Sequence, residues 1–161
     1  MWAERGSRPT AVKRTEYEWA YLFAAVNPAT GAGSALIAPT VNTHSMNERL
    51  RFIGREAGPA AHVALVHVAL VLDQAGWHLA KGLKVPPNVT LLHLPPYGPE
   101  LNGAERIGGY LRSHYLRSHC LSNRVYKDYD AIFQAIRAAW NKLDPDRLKS
   151  LTRTTWAERA A

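Results

Sequence analysis

The chain has 161 residues, 47% of them hydrophobic and 20% charged. That is one domain's length with enough apolar side chain to bury a core, which excludes wholesale disorder. One cysteine, Cys120, excludes a disulfide scaffold or a multi-cysteine metal cluster and fits a reducing, cytoplasmic setting. Twenty Lys and Arg against 13 Asp and Glu leave a formal charge of +7, and such an excess favours a polyanionic partner, most simply nucleic acid. The longest apolar run, residues 63–72, contains His67 and falls well short of the ~20 residues that span a bilayer. Residues 1–6 carry no apolar segment of the secretory kind, so no membrane role is expected.

Residues 2–14 are polar, with Gly6 and Pro9, and read as loop. Residues 16–26 are rich in aromatics and predict a strand. Asn27-Pro28-Ala29-Thr30-Gly31 is turn chemistry, and residues 34–41 predict the returning strand of a hairpin, with Pro39 at its edge or end. Asn42 or Thr43 can cap a helix reaching about residue 57, where Met46, Leu50 and Ile53 recur at helical spacing and Gly58-Pro59 stops it. Residues 62–72 are continuous, apolar and β-branched, as in a buried parallel strand.

A short helix is expected over 77–84, broken by Pro86-Pro87-Asn88, then a strand over 89–94. The stiff loop Pro95-Pro96-Tyr97-Gly98-Pro99 leads into a helix over 101–116. A last helix over 126–143 presents Ile132, Phe133, Ile136, Ala139 and Trp140 on one face, and Asp144-Pro145 ends it. Residues 144–161 form a tail with a further helical turn or two. Strands alternating with helices after a leading hairpin predict an α/β fold, with a mixed sheet and flanking helices, as a single domain over 1–161.

Two pentads recur in tandem. His62-Val63-Ala64-Leu65-Val66 is repeated by residues 67–71, and Leu111-Arg112-Ser113-His114-Tyr115 is nearly repeated by residues 116–120. Five is odd, so an extra pentad in a strand reverses the facing of everything before it. Only the copy next to Asp73 can keep the strand's register.

Charge is unevenly placed. Arg106, Arg112, Arg117, Arg124 and Lys127 occupy a stretch without a single acid, suited to a phosphate backbone or to a solvated helix face. Upstream, Asp73 is the only acid between Glu56 and Glu100. It ends an apolar strand, where a carboxylate is expensive unless compensated. Glu105 lies in the first turns of a helix, and the intervening helix and strand suffice to bring it to Asp73 at the carboxyl ends of the strands. Paired carboxylates repel unless a divalent cation neutralises them, and hard oxygen ligands suit Mg²⁺ or Mn²⁺. Two such ions can activate water and stabilise a leaving oxygen in phosphodiester cleavage. A capping Asp and a surface Glu are the plainer alternative.

Leu72-Asp73-Gln74-Ala75-Gly76-Trp77-His78, followed by Leu92-His93-Leu94-Pro95-Pro96-Tyr97-Gly98-Pro99-Glu100-Leu101-Asn102-Gly103-Ala104-Glu105-Arg106, resembles the catalytic core of bacterial insertion-sequence transposases. These are mariner-type members of the DDE superfamily of endonucleases. The opening Trp2-Ala3-Glu4-Arg5-Gly6-Ser7-Arg8-Pro9 is similar to the family's Trp-x-x-x-Gly-x-x-Pro segment. The resemblance implies an RNase H-like fold and metal-dependent cutting and joining of DNA at insertion-sequence ends. Asp73 matches the second acidic ligand and Glu105 the third. His78 matches a family histidine, read as a supporting or core residue.

The family pattern places a first catalytic Asp on an opening strand before the Trp/Gly/Pro segment, and neither that strand nor that Asp matches anything here. Gly103 stands for the family's Pro and Gly98 for its Ser, and Gly108-Gly109 interrupts the Glu105 helix. The expectation is therefore a transposase catalytic-domain fragment, truncated at its N-terminus and inactive alone. It would be completed by an N-terminal transposase half or within a homo-oligomer. The alternatives are a non-catalytic DNA-binding remnant and an unstable product.

Overall fold

The computed structural model describes residues 19–56, 68–96, 98–114 and 126–154. The fold is mixed α/β, as an RNase H-like arrangement requires. Among the described residues, four strands, β1 (Tyr21–Val26), β2 (Gly33–Ala38), β3 (Val68–Leu72) and β4 (Val89–His93), combine with four α-helices, α1 (Thr43–Glu56), α2 (Gly103–Tyr110), α3 (Tyr129–Trp140) and α4 (Pro145–Thr152). Both strand directions expected of a mixed sheet are present, but they are divided between two sheets. β1 and β2 pair antiparallel, while β3 and β4 pair parallel.

The hairpin forms where the turn residues stand. The Asn27 side chain accepts from the amides of Ala29 and Thr30, and Gly31 adopts a positive φ of 75°. A side chain at Gly31 would also collide with the Pro145 carbonyl, since its Cβ would lie 1.9 Å from that oxygen. Pro39 cannot continue the ladder, and β2 ends at Ala38.

Asn42 caps α1 by accepting from Ser45 N at 2.9 Å. Met46, Leu50 and Ile53 then face inward with Leu72 and Val89 to make one core, against which Ala25, Leu70 and Leu91 pack. The opposite side of the hairpin supplies a second core. Ile107, Leu111, Ala139, Leu143 and Leu148 are its buried residues, and Leu22 and Val26 lean on it. β1 thus feeds both cores through alternate side chains, as a strand's period of two dictates. Asp128 and Asp144 cap α3 and α4. The tail is accordingly more than an appendage, because Leu148 of α4 is buried in the second core.

Three expectations need correction. No helix forms over 77–84; only a single 3-10 turn, Gly76–His78, is present. The reason is tertiary: Asn47 of α1 donates to the Gly82 carbonyl and accepts from the Lys84 amide, and so claims backbone groups that a helix would use. The helix bearing Glu105 also starts later than residue 101, and residues 115 and 116 of the expected span lie outside the described residues. A 3-10 turn, Pro99–Leu101, precedes α2, and beyond Tyr110 residues 111–114 wind with a wider π pitch. The last helix is trimmed at both ends, from 126–143 to Tyr129–Trp140.

β3 is built from the last four residues of the second pentad, 68–71, and Leu72. The first pentad, the second Leu-Arg-Ser-His copy, Cys120, Tyr97 and the Trp/Gly/Pro opening lie outside the described residues.

Candidate active site

Asp73 follows the last residue of β3. The ladder runs one step past the strands, with Leu94 N donating to Leu72 O at 2.7 Å, so the chain on both sides of Asp73 is fixed. Gln74 extends this tie by donating from Nε2 to the Leu94 carbonyl at 2.8 Å. The Asp73 carboxylate is itself oriented. Its Oδ1 accepts from Ala75 N at 3.0 Å and from His78 Nδ1 at 2.7 Å. Two acceptors on Asp73, Oδ1 and the backbone carbonyl at 3.0 Å, face the same ring nitrogen, which places the His78 proton on Nδ1. The ring is held in turn by an edge contact with Trp77. His78 is largely buried (14% side-chain exposure) whereas Asp73 is open at 45%, so the histidine backs a carboxylate that faces solvent.

Glu105 reaches the same place from the other side. Asn102 caps α2, its side chain accepting from Ala104 N at 3.1 Å, which sets Gly103 at the first helical position and Glu105 in the first turn. The family's Pro at position 103 would suit such a first position. Here Gly103 sits against α4, and an added Cβ would come within 2.7 Å of the Thr152 carbonyl oxygen.

Asp73 and Glu105 line one cleft of about 280 Å³, together with Gln74, Leu94, Pro95 and Gly98. Among the described residues no hydrogen bond or ion pair engages Asp73 Oδ2 or the Glu105 carboxylate. Two hard oxygen donors facing one cleft fit a divalent cation of the Mg²⁺ or Mn²⁺ type. No third acid, His or Cys joins them among the described residues, so the cation's remaining positions would fall to water or to a ligand from elsewhere.

A model of the DDE superfamily endonucleases matches residues 1–132. The chain belongs to the DDE superfamily endonucleases. This DDE domain is also 44% identical over 144 residues to "Uncharacterized protein y4pE/y4sA" of Sinorhizobium fredii (strain NBRC 101917 / NGR234), an alignment that covers 88% of this chain and 99% of that protein. No solved structure matches it.

Three of the five basic residues of the acid-free stretch are among the described residues. Arg106 and Arg112 are exposed on and just beyond α2, and Lys127 is exposed ahead of α3. Arg117 and Arg124 lie outside the described residues. Among the described residues no helix is long and apolar enough to cross a membrane.

His78, expected as a supporting or core residue, supports Asp73 through a 3-10 turn that replaces the expected helix. One feature escaped the sequence. Arg49 is 2% exposed on α1, where Nη2 donates to the Ser34 carbonyl at 2.8 Å and to Ser34 Oγ at 2.9 Å. Its Nε and Nη1 have no partner, and burial pulls the guanidinium below its ordinary range despite the nearby Glu56. Nothing in the apolar periodicity of α1 marks it as buried.

Proposed function

We propose that this DDE domain is the portion of a transposase catalytic domain that carries the second and third acids, and that it acts on insertion-sequence DNA in strand cleavage and transfer. The observation that supports this is the meeting of Asp73 and Glu105 in one cleft from elements about 30 residues apart in sequence, each with carboxylate oxygen to spare. A bound Mg²⁺ or Mn²⁺ would supply charge neutralisation and an activated water. The chain's own part is positional. His78 and the Ala75 amide hold Asp73, the Asn102 cap starts the helix that presents Glu105, and Gln74 pins the strand end to the proline loop.

The broken sheet supports a further element of the proposal. Among the described residues β1 pairs only with β2 and β3 only with β4, which leaves one free edge on each. Helix α1 serves both sheets: Arg49 bonds to Ser34 of β2, while Leu50 and Ile53 pack on Leu72 and Val89. A strand added to the free edge of β3 would lie ~4.8 Å from it. An acid at the end of that strand would then sit beside Asp73, within a cation's reach. A second transposase segment, or another copy of the chain, is the proposed source.

Titration with Mn²⁺, followed by its electron paramagnetic resonance signal, tests the site. Wild type should bind, and Asp73→Asn and Glu105→Gln should each weaken binding at least 10-fold with unchanged unfolding midpoints. Equal Mn²⁺ affinity in all three proteins would overturn the assignment. Supplying a segment with the opening strand and its Asp should then produce Mg²⁺-dependent nicking of insertion-sequence ends. A second reading, a DNA-binding protein without catalysis, rests on the exposed basic residues Arg106, Arg112 and Lys127. It predicts DNA binding indifferent to EDTA and no nicking by any mixture.

A further inference from the structure

The acid-poor stretch between Glu56 and Glu100 has a spatial consequence away from the Asp73 cleft. Its Lys84 lies beside α1. There a second cleft, of about 560 Å³, is lined by Arg51 and Arg55 of α1 and by Lys84 of the loop before β4. One acid, Glu48, shares it and is already committed to Arg51. That hydrogen bond, reinforced by the charges of His44 and Arg55, holds the Glu48 carboxyl below its usual range. Arg55 and Lys84 have no ion-pair or side-chain hydrogen-bond partner among the described residues.

The frame beneath these cations is rigid. Asn47 holds both Gly82 O (3.1 Å) and Lys84 N (2.8 Å), and Asn88 donates to Gly54 O at 2.9 Å. The Asn88 carbonyl also accepts from Val68 N, the first residue of β3. A Cβ on Gly54 would approach Pro86 to 2.8 Å, so helix and loop are in close contact. The backbones that carry three cations, from two elements, are thus held together at the lip of one concavity.

We propose that this α1 cleft is a contact for the phosphodiester backbone of DNA, separate from the acid cleft. The inference rests on the transposase reading for its ligand and on the α1 geometry for its site. Position supports the separation. The basic cleft adjoins the Val68/Val89 end of the parallel pair, and Asp73 follows the Leu72/His93 end. Five residues of strand put the two ends about 13 Å apart. For a duplex running along the strands, a phosphate held by Arg55 and Lys84 would lie roughly four base pairs from one at Asp73. That spacing suits a role in holding duplex that flanks the reacting position. Delocalised fork donors from Arg and a point charge from Lys are the usual pair for phosphate oxygens.

Fluorescence anisotropy of a labelled 30-base-pair duplex of arbitrary sequence, in EDTA and across a KCl series, tests the inference. Arg55→Glu/Lys84→Glu should weaken binding at least 10-fold at low salt. Arg55→Gln/Lys84→Gln should lower the slope of log K against log [KCl] by about 1.8, at about 0.9 per lost phosphate contact. Glu48→Gln should tighten binding severalfold. Circular dichroism and unfolding midpoints confirm that each variant folds, and the glutamine pair serves if charge reversal does not. Unchanged affinity and slope in the glutamine pair, with wild type binding, would overturn the α1 cleft while leaving DNA as the partner. No binding by wild type would overturn both. The Mn²⁺ titration is independent of either outcome.

Discussion

The three glycines of the Glu105 helix make opposite predictions under the same substitution. At Gly108 and Gly109 a Cβ would meet nothing within 4 Å, so alanine adds helix propensity without a clash. Each change should stabilise by about 1 kcal/mol. In a chain of this size that raises the unfolding midpoint by about 2–4 °C per substitution. At Gly103 the new Cβ would lie 2.7 Å from Thr152 O, 3.0 Å from its Cα and 3.2 Å from its carbonyl carbon. All three are backbone atoms of α4, which cannot rotate away as a side-chain tip can, so α2 and α4 must part by several tenths of an ångström. Overpacking of this kind costs about 1–3 kcal/mol. The propensity gain is small at a first helical position, so the net sign is destabilising. Glu105 stands two residues on, and the displaced helix should also weaken Mn²⁺ binding. Thermal unfolding by circular dichroism, with the Mn²⁺ titration alongside, separates the cases. A Gly103→Ala midpoint at or above wild type, or equal shifts at all three positions, would refute the close approach of α2 to α4.

Arg49→Met keeps an apolar stem in the core and removes two buried, unpartnered nitrogens, so urea unfolding should place it within about 1 kcal/mol of wild type. Arg49→Ala also leaves a cavity and should cost about 2–5 kcal/mol; equal losses in the two variants would show that the guanidinium earns its place by polar contacts. His78→Ala frees Asp73 Oδ1 from its ring donor. Mn²⁺ affinity should fall about 10- to 100-fold, as when outer partners of metal ligands are lost, and unaltered affinity would deny His78 any part in orienting the carboxylate.

The elements that were legible in the sequence are those whose signals are local. Asn27 to Gly31 encode a turn through side-chain acceptors and one left-handed residue, and the hairpin forms there. Met46, Leu50 and Ile53 mark the buried stripe of α1 by spacing alone, and all three are buried. Asp73 stands out in the sequence as the acid ending an apolar strand and Glu105 as an acid in the first turns of a helix, with a segment between them able to bring them together, and they line one cleft. What was not legible depends on partners distant in sequence. The residues 77–84 are compatible with a helix until Asn47, more than 30 residues upstream, takes their backbone groups. The burial of Arg49 depends on Ser34 of the hairpin. The basic α1 cleft needs Lys84 beside Arg55, a meeting that no window of adjacent residues contains.

β1 is the one strand with side chains in both cores, Ala25 in the first and Leu22 with Val26 in the second. Each core holds its own buried set, and the hairpin stitches them together, through β1 on both sides and through Ser34 of β2, which Arg49 of α1 holds. Separate buried sets give each core its own opening free energy. Amide hydrogens of β3 and β4 would then exchange with solvent on a different clock from those of α2 and α4. Asp73 rides with the first core and Glu105 with the second, so the strength of that stitch sets how long the two acids stay in company.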